Sequence, residues 1–181
     1  MIVLQFIQWQ LIEIFTPFFM PIVWALAYGI FLISAILSLV TWLKKKDCKP
    51  FVIQAITVIL LFLIPVNQIV LNLNFNNNKT DRNAVITGIE EGIITPNVTH
   101  NSTLIHLPDR YSHVSKGGGD VVIEKQGDHY LVLFFTYRGV LDNFSGFVYS
   151  PNDNEPQARS FGGDFKEIVK IDTNWYFVAS S

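Results

Sequence analysis

Two long uncharged apolar stretches occupy the first half of the chain, and short alternating runs occupy the second. From Pro17 to Leu43 there are 27 residues without a charge. As a helix they reach about 40 Å, more than a hydrocarbon core of roughly 30 Å. Trp24 and Tyr28 near one end and Trp42 at the other suit the two interfaces. Pro50 suits a first helical position, and Phe51–Leu71 then supplies 21 residues, fifteen of them Leu, Ile, Val or Phe. On an insertion scale those fifteen favour the membrane by roughly 5–9 kcal/mol. Pro65 predicts a kink near the end of this second helix. Residues 1–16 are too short to span. Gln5, Gln8 and Glu13 share one arc of a helical wheel, which reads as an interfacial amphipathic segment; a bent extension of the first span, broken at Pro17, is the alternative. They carry no basic region and no small-residue cleavage site, so they do not read as a cleaved signal peptide.

After Leu71 the pattern changes. The Asn-rich residues 72–80 read as a linker or turn cluster. Val85, Ile86, Ile89, Ile93 and Ile94 recur at helical spacing over 81–95, and 96–108 reads as loop. Residues 120–126 and 129–137 flank Gly127-Asp128 as a hairpin, 140–149 follow as a third strand, and 166–171 and 175–179 form a last hairpin around 172–174. The expected fold is a two-helix transmembrane hairpin plus a small α+β extracytoplasmic domain with an antiparallel sheet of about five strands and one helix. Its segments are 1–16 interfacial, 17–43 first span, 44–49 cytoplasmic loop, 50–71 second span, 72–80 linker and 81–181 domain.

Charge fixes the expected orientation. Only 15% of the 181 residues are charged, against roughly a quarter in soluble domains. Lys44, Lys45, Lys46 and Lys49 lie between the spans, while residues 1–16 have no basic residue and Lys79 and Arg82 are the nearest beyond the second span. The positive-inside rule puts the loop in the cytoplasm and both termini outside it. The chain therefore reads as a multi-pass protein of the bacterial inner membrane; the bacterial source is read from the Asn- and Ile-rich compact form. Residues 79–181 hold nine Lys/Arg and thirteen Asp/Glu, a net −4, which gives nucleic acid no field to follow. Cys48 is the single cysteine and sits in the loop.

Candidate chemistry is sparse. His100, His106, His113 and His129 have spacings that match no common zinc pattern, and neither metal nor cofactor is expected. Ser112-His113-Val114-Ser115-Lys116 lacks the Ser-x-x-Lys order, and Ser145 lacks a nucleophile-elbow glycine two residues before it. Gly117-Gly118-Gly119 leads into a strand and reads as a turn that admits close approach of another backbone. Arg138 and Asp142 flank a turn at Gly139 and are positioned to pair. Together with Tyr137, and extended by Tyr149, Arg159 and Trp175, they form the expected binding patch, of residue types enriched at interfaces. The functional expectation is a membrane-anchored binding module with a protein partner in the envelope, as a complex subunit or an immunity- or inhibitor-type protein, able to self-associate. The rival reading is a tethered envelope hydrolase built on Ser145, His129 and Asp142.

Overall fold

An exposed apolar helix dominates the N-terminal part of the structure, a computed structural model that describes residues 2–127, 129–139 and 143–181, without the side chains at 2, 8–10 and 12–18. The chain divides into two units, Met1–Asn74 and Phe75–Ser181. Helix α1 runs Ile2–Lys45, through Pro17 and Pro21. Residues 2–16 continue this helix, as the alternative of an extended first span has it. The Phe19–Lys45 part has mean hydropathy 2.3, and 6% of its most apolar window is buried. A core helix of a soluble protein would bury that surface; this one is long and apolar enough to cross a membrane. Its hydroxyls are satisfied within the helix. Ser34, Ser38 and Thr41 donate to the carbonyls of Ile30, Ser34 and Leu37 at 2.8–2.9 Å, as polar side chains in hydrocarbon must.

Helix α2 (Lys49–Leu63) is 15 residues long, about 22 Å, and too short to cross alone. Helix α3 (Val66–Glu90) follows at a bend of 53°. Pro65, where a kink was expected, causes it. Its ring pushes Ile64 into extended backbone, and it has no N–H to continue the ladder. Trp42 stacks on Phe51 at 5.0 Å, while Gln5 shares a cavity with Leu61, Pro65 and Gln68. On straight helices Gln5 would lie about 56 Å from Trp42, and Pro65 about 21 Å from Phe51. Both contacts hold only if α1 bends between Gln5 and Trp42.

The C-terminal unit is an antiparallel sheet of six strands in the order β1-β2-β3-β4-β6-β5: Leu104–His106, Asp120–Gln126, His129–Arg138, Phe144–Tyr149, Trp175–Ser180 and Phe165–Asp172. The strand missed in the sequence is β1, which has three residues and so shows no period. The third strand starts at Phe144; residues 140–142 of its expected range lie outside the described residues. Edge strand β5 carries two bulges, between Phe165 and Glu167 and between Lys170 and Asp172. One face holds Leu131, Leu133, Phe135, Phe144, Val148 and Val178, with Phe161 of the 151–164 segment packed on it. Phe161 sits in a left-handed turn (φ 58°), and its N–H donates to the Glu124 carboxylate.

The other face carries Phe134, Phe147 and Trp175 and is covered by α3. The expected linker over 72–80 is helical here. Asn is a poor helix former, but burial overrides propensity: Phe75, Arg82, Val85, Ile86 and Ile89 of α3 are all buried. The Phe75 ring lies 5.2 Å from Phe147 and 5.3 Å from Trp175. Arg82 is 1% exposed. Its guanidinium stands 4.6 Å over Phe147 and 5.9 Å from Phe134. Nε donates to the Val114 carbonyl at 3.1 Å and Nη1 to the Phe75 carbonyl at 3.4 Å. Burial lowers its pKa to about 10, so the group stays charged at neutral pH.

Gly88 and Gly92 end α3. Ile93 and Ile94 return their N–H groups to the Gly88 carbonyl, and Ile94 lies where a Cβ on Gly88 would be.

Arg82→Ala removes a buried cation, its stem and the donors to the Val114 and Phe75 carbonyls. The unfolding free energy should drop by about 3–5 kcal/mol in urea titrations followed by near-ultraviolet dichroism. Arg82→Met refills the volume and should recover part of that loss.

Candidate functional site

Lys79, Asn83, Thr87 and Glu90 follow one another at steps of four, four and three along α3, which puts them on one flank of the helix. Opposite them stand Tyr149 at the end of β4, Trp175 at the start of β6, and the β5–β6 turn at Thr173-Asn174. Together they line an open groove of about 290 Å³, with Ile86 and Trp175 buried at its base. Tyr149 and Trp175 are cross-strand partners whose rings meet edge to face at 5.4 Å. Lys79 closes one end by pairing with Asp172 at 2.5 Å.

The far wall is held from outside the groove. Asn174 has φ 63°. Its N–H donates to Asp153 Oδ1 at 2.8 Å, and its carbonyl accepts the Ser150 N–H at 2.8 Å. Asp153 also accepts Lys170 Nζ at 2.5 Å on Oδ2 and the Tyr176 hydroxyl at 2.7 Å on its carbonyl. The turn is thus set before any ligand arrives. Burial pushes the Tyr149 hydroxyl above its ordinary proton affinity. The Glu90 carboxylate adds to the rise, and a hydrogen bond with Asn174 opposes it.

The structure brings together two of the six residues expected in one patch, Tyr149 and Trp175. Tyr137 and Arg138 lie elsewhere. Val132 is the β3 partner of Tyr149, and Arg138 is six residues further along β3, about 20 Å away. The Arg138 guanidinium donates to Asp120 Oδ2 at 2.8 Å and stands 5.3 Å over Phe135, while His106 Nδ1 meets the other Asp120 oxygen at 2.8 Å. Asp142, its expected partner, lies outside the described residues. The Tyr137 ring folds back over Gly139. Arg159 is exposed just before the turn at Ser160–Gly162.

Of the hydrolase set, Asp142 lies outside the described residues, and Ser145 and His129 do not meet. His129 opens β3, and Ser145 pairs with Tyr137 eight residues away, about 26 Å along the strand. The Ser145 hydroxyl instead meets that of Thr136 at 2.9 Å. Among the described residues no group of three or more His, Cys, Asp or Glu could hold a metal. The glycine run does admit a close backbone. Gly119 has φ 77°, a Cβ there would stand 2.9 Å from the Ser112 Cα, and its carbonyl accepts the Leu107 N–H at 3.0 Å.

Asn83, Thr87 and Glu90 went unnoticed in the sequence, and their one signal was the polar stripe at helical spacing beside the isoleucines of α3. Asn174 was read only as part of the turn at 172–174. Comparison of the chain with known protein families, with curated proteins and with solved structures returned no match.

Hydrogen bonds from Lys170 and Lys79 hold Asp153 and Asp172 below the ordinary carboxyl value of 3.8. Depressed acids stabilise the fold above their unfolded value and lose that contribution as pH falls through the folded one. The melting temperature should hold down to about pH 4 and decline below it. Asp153→Asn should lower it at neutral pH and flatten the acid decline, read by thermal melts between pH 7 and 2.

Proposed function

We propose that the protein is a membrane-anchored binding module, with its sheet domain displayed outside the cytoplasm of a bacterial cell. In this reading Phe19–Lys45 of α1 forms one span, and α2 with the start of α3 forms a second, kinked one. Ile30, Leu32 and Phe62 support it: they leave 62–88% of their surface exposed, an arrangement that suits lipid and not water. The four lysines of the 44–49 loop favour the cytoplasm for that turn.

The groove carries the binding half of the reading. Its Tyr149–Asn174 wall is braced by Asp153 and its base is a buried tryptophan. Such a preset concavity with converging polar groups is what recognition of a ligand or an envelope partner requires. Among the described residues, Ser145 and His129 stand about 26 Å apart along β3 and do not converge.

Cys48 tests the topology, because it is exposed and is the only thiol in the chain. A membrane-impermeant maleimide should label it in lysed spheroplasts and spare it in intact ones. Cys48→Ser combined with Ser181→Cys should reverse the pattern. Labelling of native Cys48 in intact spheroplasts would overturn the orientation.

A further inference from the structure

We propose that the groove between α3 and the β5–β6 turn takes its ligand by a protonated amine, held between the Glu90 carboxylate and the Tyr149 ring. The inference rests on the binding-module reading and names the chemistry of its ligand.

The charges of the groove are arranged for a cation. Lys79 is neutralised by Asp172 at 2.5 Å. Glu90 lies eleven residues further along α3, about 16 Å away, and has no ion-pair partner among the described residues. The pair and Glu90 sum to −1, so an anion is repelled and an uncharged ligand leaves the carboxylate unused. Glu90 is also the last residue of α3, and the final turn of that helix carries no basic residue. A helix C-terminus is the negative end of its dipole, where an acid is destabilising and a cation is favoured. Carboxylate and dipole therefore act on the same spot with the same sign.

The ring completes the site. Tyr149 is partly exposed, and Trp175, 2% exposed, holds it edge to face from below. An ammonium between a carboxylate and an aromatic face gains an ion pair and a cation–π contact together. The proton affinity of the Tyr149 hydroxyl is raised in part by Glu90, so the field of that carboxylate reaches the phenol. Asn83 and Thr87 supply neutral hydrogen-bonding groups along the helix wall. A volume of about 290 Å³ suits an alkylammonium group, whether of a free amine or of a lysine side chain.

The full chain in detergent micelles, titrated with 1,5-diaminopentane and followed at the Trp175 indole by NMR, tests this. A saturable shift is expected, at least tenfold weaker in Glu90→Gln. An equal shift with 1-pentanol, or unchanged affinity in Glu90→Gln, would overturn the proposal. Without ligand, Glu90→Gln should melt at the same temperature as the native chain or up to about 2 °C higher, since it removes an acid from the negative end of a dipole. A lower melting temperature would make Glu90 a structural residue and also overturn it. A lysine-centred tripeptide run in parallel identifies the source of the ammonium: tighter binding than the diamine marks a peptide ligand, weaker binding a free amine. Cys48 labelling reports on the membrane orientation alone, so the two readings fail separately.

Discussion

A single guanidinium holds the domain helix to its sheet. Arg82 must keep its charge while buried, and the carbonyls of Val114 and Phe75 and the rings of Phe147 and Phe134 are among the groups that meet that demand. A lysine could not do the same, since its compact ammonium is more strongly hydrated and lacks the flat face that lies over a ring. Because the contact is directional as well as apolar, it fixes the rotation of α3 about its own axis. Phe75, Val85, Ile86 and Ile89 follow the same stripe into the core. The polar flank of Lys79, Asn83, Thr87 and Glu90 is then turned toward the start of β6. The groove is a by-product of where one cation is buried.

The parts of the fold visible in the sequence are those with strong local causes. Strands β2, β3, β5 and β6 have runs of β-favouring residues bounded by turn residues, and each lies close to where that pattern puts it. Pro65 breaks its helix because a missing N–H acts on the nearest turn. The rest depends on contacts distant in sequence. The Asn-rich stretch at 72–80 is helical only because Phe75 and Arg82 find sheet residues 52 to 100 positions later. Strand β1 exists because Val121 and Val122 offer it an edge.

The site was legible in residue type and hidden in distance. Tyr137 and Tyr149 are twelve residues apart, yet they lie toward opposite ends of a hairpin, so closeness along the chain meant separation in space. Arg138 was matched to an acid across a neighbouring turn, whereas its partner Asp120 belongs to the adjacent strand. Glu90 could not be linked to Tyr149 without knowing that α3 crosses that face. Within each element the pattern was readable; the meeting of elements was not.

Strand β5 has a consequence for how copies of this domain meet. Its two bulges break the even spacing of its outward backbone groups, and Lys166, Glu167 and Lys170 stand along the same border. A second chain arriving there finds an irregular ladder, and Val169, the exposed apolar residue of the strand, stands among charged neighbours. Pairing of copies through this border of the sheet is thereby disfavoured, and any meeting of two domains is directed to other faces.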